Sequence, residues 1–325
     1  MPGSIFIDGE AGTTGLQIRE ILESSGEFQL LAIHEARRKD PLAKLELMAQ
    51  AGLVVLCLHD DAARASVALI DTLGSRQPRI LDASSAHRVN EAWVYGFPEL
   101  APEMAARIGA AQRVSNPGCH ATGAIALLAP LIAAGIVPSD TPLTIQSVSG
   151  YSGGGRAMIE AHEQGQAPRF ELYGLGLEHK HVPEIMAHSG LACRPIFVPS
   201  VGNFRQGMLV SIGLHLDTLP SRPEAHDLLE AYQRCYSAHP SAPCAGFVQV
   251  LPPSGNGRLD ALGVNQTNRL EVRVFGNEAR RQAVLVARLD NLGKGASRAA
   301  VQNIRLMLPT RMHDERAPEA ARHPA

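Results

Sequence analysis

Apolar residues follow two rhythms along this chain. In the first third, short and almost continuously apolar runs alternate with stretches whose apolar residues recur every three or four positions. Ile5 and Ile7 sit in the first run, and "FQLLAIHE" (28–35), "LVVLCLHD" (53–60) and "RILDASS" (79–85) follow. After the first run, Leu16, Ile18, Ile21 and Leu22 trace the inner face of a helix. This alternation predicts a parallel sheet covered on both faces. Past residue 140 the rhythm changes. "TPLTIQSVSG", "RPIFVPSVG", "GMLVSIGLHLD", "FVQVLP" and "LEVRVFG" are β-branched runs of mixed spacing. They predict a largely antiparallel second sheet. Helical spacing reappears from His120, with Gly135 as the stop, and in "LGKGASRAAVQNIRLML" (292–308). The fold class predicted is α/β: a Rossmann-type dinucleotide-binding domain plus an α+β domain.

The loop between the first strand and its helix carries the dinucleotide reading. Gly9, Gly12 and Gly15 are spaced GxxGxxG, one residue looser than the usual fingerprint, with Thr13 and Thr14 between the last two. Glycines there let the chain turn tightly and let backbone N–H groups reach a pyrophosphate at the helix start. The second strand ends in "HEARRKDP". Glu35 could hold the ribose hydroxyls of NAD, whereas the basic cluster Arg37, Arg38 and Lys39 suits the extra phosphate of NADP. The cluster favours NADP.

A second loop, "SNPGCHATG", sets Cys119 on the first turn of an apolar helix. Unpaired N–H groups and the helix dipole at that place favour an anion, which predicts a lowered thiol pKa and a good nucleophile. A small buried cysteine is the competing reading. His179 and His181 share a face of an extended segment; with Glu184 nearby their spacing would also fit a metal site, but no third nitrogen or sulfur ligand supports it. A histidine serving the cysteine as acid and base is preferred, and no metal is expected. Consecutive backbone N–H groups at Gly153 to Gly155, beside Arg156, would make an anion nest.

Composition narrows the function classes. The 325 residues are 45% hydrophobic, 19% charged and 4% aromatic, with net charge -2 and no long charged run. Nucleic-acid and membrane partners are therefore not expected. The five cysteines are separated by 62, 74, 42 and 9 positions, spacings that suit neither a zinc site nor a disulfide framework. "MPGSIFIDGE" enters a strand at once, with no signal peptide visible, so a cytoplasmic protein is expected.

The blocks "GEAGTTG", "SSAHR", "YGFPEL", "SNPGC", "VSGYSGGGR", "EHKHVPEI", "PSVGNF" and "DNLGKGASRAAVQN" occur in one order from residue 5 to about 308. This series resembles the N-acetyl-gamma-glutamyl-phosphate reductase family, in the shorter of its two size classes, which is related to aspartate-semialdehyde dehydrogenase. The resemblance implies NADPH-dependent reduction of N-acetyl-gamma-glutamyl phosphate to the 5-semialdehyde through a cysteine thioester, in arginine biosynthesis. The same chemistry on another acyl phosphate, aspartyl or carrier-linked aminoadipyl, is the alternative. The resemblance makes Cys119 the nucleophile, His181 (with His179 second) the acid–base, and Gln146 a group placing substrate near the sulfur. It implies that Arg88 and Asn116 clamp the substrate phosphate, and Arg156 and Glu184 are added to the substrate site as neighbours. It implies cofactor contacts from Asn291 and Ser84, beside Gly9, Gly12, Thr13, Thr14, Gly15, Arg37 and Arg38. Where the longer class carries Pro-His this chain has Pro199-Ser200, so no role of that histidine transfers. The implied organisation is an NADP-binding domain of residues 1–118 and 291–310, a catalytic and oligomerisation domain of 119–290, and a loose tail at 311–325. A homo-oligomer, dimer or tetramer, is implied. A nucleotide sensor without catalysis would have no use for a poised thiol, and the glycine loop disfavours a cysteine hydrolase.

Overall fold

The computed structural model describes residues 3–237 and 246–308; the tail at 311–325 lies outside them. The first sheet is wholly parallel, in the order β2-β1-β3-β4-β6-β5. Its strands are β1 (Ser4–Asp8), β2 (Gln29–Leu31), β3 (Leu53–Leu56), β4 (Arg79–Asp82), β5 (Val94–Tyr95) and β6 (Arg113–Ser115). β1 and β3 are buried at every position, as strands covered on both faces must be. Helices α1 (Thr13–Ser25), α2 (Pro41–Met48), α3 (Asp60–Asp71) and α4 (Met104–Ala110) connect them. The strand order turns back at β1, with β2 on one side and β3 on the other. The glycine loop after β1 therefore opens at the switch point where such sheets hold ligands.

The second sheet runs β11-β12-β13-β10-β7-β9-β8. It contains β7 (Thr144–Gly150), β8 (Phe170–Leu172), β9 (Ile196–Gly202), β10 (Met208–His215), β11 (Val248–Val250), β12 (Leu270–Asn277) and β13 (Gln282–Leu289). Four of its six pairings are antiparallel, and β7–β9 and β11–β12 are parallel. Against it lie α5 (Cys119–Ala133), α7 (Val182–Ser189) and α8 (Ala225–Ser237), while α6 (Gly155–Glu163) packs on the turn that follows β7. α5 is apolar on all sides and buried from His120 to Leu128, the pattern of a helix enclosed by other elements. Pro130 lacks the N–H that Ala126 O would otherwise receive. The Tyr236 hydroxyl donates to that carbonyl at 2.7 Å, and Tyr232 donates to Leu127 O at 2.6 Å.

The last helix, α9 (Arg298–Met307), starts later than the sequence pattern predicts. Residues Gly293–Ser297 form a wider, π-helical turn instead. Both glycines are needed there: a Cβ on Gly293 would collide with Thr267 O, and one on Gly295 would stand 2.7 Å from Cys119 Cβ. α9 then crosses back to the first sheet, where Ala300, Val301, Ile304 and Met307 join Ile5, Ile18, Leu22 and Leu53 in one core. Among the described residues no helix is long and apolar enough to cross a membrane.

Candidate active site

The two sheets meet at a cavity of about 390 Å3, walled by the start of α5, the start of α1, the loop 149–155, the segment 179–181 and the π-helical turn. Cys119 occupies the first position of α5. The loop ahead of it is pinned by a buried carboxylate. Glu184, on α7, accepts from Gly118 N–H at 2.8 Å and from the Tyr95 hydroxyl at 2.7 Å through Oε1, while Oε2 pairs with Arg88 at 3.0 Å. Arg88 also donates to Asn116 O and Ala83 O, each at 3.0 Å. Gly118 has no alternative at its position. A Cβ there would collide with Arg88 Nη1 and stand 2.5 Å from His181 Nε2. His181 thus presents Nε2 directly over the residue preceding the cysteine.

Three histidines crowd the floor of this cavity, and burial keeps all of them neutral. Burial pushes His120 down to about 3 and His179 down to about 4, and it pushes His181 well below its usual range with Arg88 adding to the effect. His179 Nδ1 accepts from His181 N–H at 3.1 Å, which leaves its Nε2 as the protonated nitrogen of the neutral ring. His181 Nδ1 is buried without a hydrogen-bond partner among the described residues, so no carboxylate raises its basicity. His120 bridges Ser147 Oγ at 2.7 Å and the Tyr173 hydroxyl at 2.9 Å. Burial likewise pushes the Cys119 thiol up to about 11, against the pull of Arg88 and of the His120 backbone N–H. The lowered pKa expected from the helix start is therefore corrected. The dipole is present, but desolvation by the surrounding protein outweighs it.

On the other wall, the glycine loop forms a cradle. Gly9 adopts φ +91°, and a Cβ there would collide with Cys57 O; at Gly15 it would stand 2.6 Å from Gly9 O. Gly12 caps α1, and Thr13 and Thr14 at its start open onto the cavity. Backbone packed this closely, ending in free helix N–H groups, fits the pyrophosphate of a dinucleotide.

A family model for the semialdehyde dehydrogenase dimerisation domain matches residues 119–291. The chain is 50% identical to N-acetyl-gamma-glutamyl-phosphate reductase 2 of Pseudomonas putida, over 94% of this chain and 96% of that one. It is 49% identical to the protein of the same name from Nostoc, with the same coverage. The chain belongs to the N-acetyl-gamma-glutamyl-phosphate reductase family. Aspartate semialdehyde dehydrogenase II of Vibrio cholerae, solved as a complex with ASA, shares the fold at TM-score 0.69 and 14% identity, covering 94% of this chain and 98% of that one. The enzyme of Candida albicans, solved with NADP, does so at 0.63 and 12%, covering 94% and 99%.

Against this reductase-family fold, the sequence-derived residues sort into two groups. Arg88, Asn116, Cys119, His179, His181, Asn291, Thr13 and Thr14 line the one cavity. Asn291 is fixed there by Ser152 Oγ and Gly207 N–H, both at 2.9 Å. Asn116 spends its amide on Ala296 O and Asn303, both at 3.1 Å, so it braces the π-helical turn and α9.

The second group lies elsewhere. Gln146 is on the opposite face of β7: Ile145, Ser147 and Ser149 point to α5 and the cavity side, and the two-residue period sends Gln146 to the outer, apolar groove. Arg156 is exposed on α6 beside Glu160 at 3.9 Å. Glu184 is buried behind the cavity wall with both oxygens engaged, where it pins the loop ahead of Cys119. Ser84 is consumed in a turn with Asp82, through N–H at 2.9 Å and Oγ at 2.8 Å. Arg37 and Arg38 are exposed after β2, paired with Asp40 at 3.0 Å and Glu35 at 3.7 Å. Sequence reasoning missed His120, Tyr173 and Lys180, all of which line the cavity. Adjacency to Cys119 and to the two histidines was the available signal for His120 and Lys180; Tyr173 had none.

Proposed function

We propose that this chain reduces N-acetyl-gamma-glutamyl phosphate to N-acetyl-glutamate 5-semialdehyde and phosphate, with NADPH as reductant, in the cytoplasmic synthesis of arginine. The observation that carries this reading is the convergence on one cavity of Cys119, His181, and Thr13 and Thr14, which follow the glycine cradle at the start of α1. Relatives about half identical to it bear that reductase's name.

The Cys119 sulfur attacks the acyl carbon, and the carbon–oxygen bond to phosphate breaks, leaving a thioester. With the thiol protonated at neutral pH, His181 Nε2 takes its proton as attack proceeds and passes it to the departing phosphate oxygen. The backbone N–H groups at the start of α5 face the charge that gathers on the carbonyl oxygen. When bound, NADPH supplies the hydride that reduces the thioester carbon. As the carbon–sulfur bond then breaks, a proton from solvent returns to sulfur through the same imidazole. Gly9, Gly12, Thr13, Thr14, Gly15 and Asn291 hold the dinucleotide, and the exposed guanidinium groups of Arg37 and Arg38 select the 2′-phosphate. Gln146, Arg156, Ser84 and Glu184 take no part in contacting substrate or cofactor.

The dinucleotide unit comprises residues 1–118 with 291–310, as the packing of α9 on the first sheet supports, and 119–290 form the catalytic unit. Two copies pair through the outer face of the second sheet, where Phe170, Leu172 and Val284 are exposed around a groove of about 900 Å3. The test runs in reverse: phosphate-dependent reduction of NADP by N-acetylglutamate semialdehyde, with aspartate semialdehyde and NAD alongside. Cys119→Ser should abolish turnover. Preference for aspartate semialdehyde would overturn the substrate, and sustained turnover at full rate without phosphate would overturn the acyl phosphate as the group exchanged at the thioester.

A further inference from the structure

The cavity must attract a substrate that carries a phosphoryl group and a carboxylate, yet most of its basic residues bring no net charge. His120, His179 and His181 are neutral. Arg88 is matched by Glu184 at 3.0 Å, with both groups buried. Lys294, on the turn that supplies Gly295 and Ala296 to the wall, is sealed behind it against Glu99 at 2.7 Å. One cation remains. Lys180, between the two histidines, lines the cavity, is exposed at its mouth, and has no carboxylate partner among the described residues. Its charge reaches the Cys119 sulfur, where it favours the thiolate, and both neighbouring imidazoles, where it opposes protonation.

Resting on the reading of function above, we infer that Lys180 is the residue that receives the phosphoryl group of the acyl phosphate and of free phosphate in the reverse reaction. The chemistry of the attack selects the phosphoryl group over the carboxylate. Phosphorus is joined through a single oxygen to the carbon that Cys119 attacks, so it must lie beside the sulfur, under the residues His179 to His181. The carboxylate sits several carbons away along the chain. Phosphate also has to exchange with solvent during each turnover, and a flexible, hydrated ammonium at the mouth suits that traffic better than a buried guanidinium. Arg88 then contributes oriented N–H donors, and Lys180 contributes the uncompensated charge.

Lys180→Gln and Lys180→Arg are measured in the reverse reaction, varying phosphate and semialdehyde separately. The glutamine variant should raise the KM for phosphate about tenfold, the worth of a charge-assisted hydrogen bond at a partly screened site. The semialdehyde KM should move less than twofold, and arginine should restore phosphate KM to within about threefold. An unchanged phosphate KM, or a rise confined to the semialdehyde, overturns the inference. A second measurement needs no substrate: the ratio of iodoacetate to iodoacetamide alkylation rates at Cys119 reports the potential at the mouth. If the wild type shows no phosphate-dependent turnover, the reading of function fails and this ratio alone decides. A fall of about threefold or more in Lys180→Gln supports the cation's role, and an unchanged ratio overturns it.

Discussion

The protonation state of Cys119 can be tested by titrating its reactivity. Burial pushes the thiol up to about 11. At pH 7 such a thiol is about 10⁻⁴ ionised, against about 3% for an exposed cysteine of pKa about 8.5, a deficit of about 300-fold. Thiolates of higher pKa are intrinsically better nucleophiles, with a Brønsted slope of about 0.4–0.5, which returns roughly tenfold over that difference. Iodoacetamide should therefore modify Cys119 about 20- to 30-fold more slowly than an exposed cysteine at pH 7. The rate should climb nearly tenfold per pH unit through pH 10, read peptide by peptide by mass spectrometry with Cys119→Ser as background. His181, neutral at pH 7, holds no imidazolium against the sulfur. His181→Asn should lower kcat by about 10²–10⁴, the worth of a positioned proton carrier, yet leave the alkylation profile within about twofold. A plateau below about pH 8 would refute the reasoning, because α5 and Arg88 would then outweigh burial.

Four further outcomes are expected. His120 and His181 are held neutral in the fold but bind protons when unfolded, so stability present above about pH 6.5 is lost on acidification, at up to about 1.4 kcal/mol per pH unit for each. Urea midpoints at pH 7 and 5 should show this, and His120→Gln should flatten the acid limb by about a third, because His179 and His181 still contribute to it. No loss between those pH values would contradict it. Lys294→Met, which strands the buried Glu99 carboxylate, should cost about 3–5 kcal/mol, and adding Glu99→Gln should recover most of it; a cost below about 1 kcal/mol counts against the pair. Gly118→Ala must displace Arg88 or His181 and should lower kcat about 10²-fold while dinucleotide binding holds, checked by fluorescence titration. Gln146→Ala, on the far face of β7, should leave kcat/KM within about twofold, and a tenfold loss would return that side chain to the site.

What was legible in the sequence was local. Glycine spacing after β1 exposes a backbone cradle, and Asn-Pro-Gly before an apolar run marks where α5 starts; both are decided within a few residues. What was illegible depended on partners far along the chain. The parity of β7 decides whether Gln146 or Ser149 faces the cavity, and one-residue shifts invert that choice. Glu184 looks like a substrate ligand until its partners, Gly118 and Tyr95, are known to lie 66 and 89 residues away. The Cys119 pKa was misjudged for the same reason. A helix dipole can be placed from sequence, whereas the depth of burial that opposes it is a property of the assembled core. His120 meets Tyr173 across 53 residues, in a segment with no motif to announce it.

The return of α9 to the first sheet also sets an order of events during synthesis. The core that unites Ile5, Ile18 and Leu22 with Ile304 and Met307 cannot close until the last described helix has been made. By the time β13 ends at Leu289, every strand of the second sheet and all of α5 are available. The middle of the chain can therefore consolidate while the beginning still waits, inverting the usual N-terminal-first sequence. Through that interval the faces of β1, β3 and α1 that α9 will cover stay open to water, and their long-range closure is slow. A chain that stops short of Arg298 would hold a finished second layer, an uncovered first layer and no settled wall opposite Cys119. Such a product is a substrate for chaperones and proteases before it can be an enzyme.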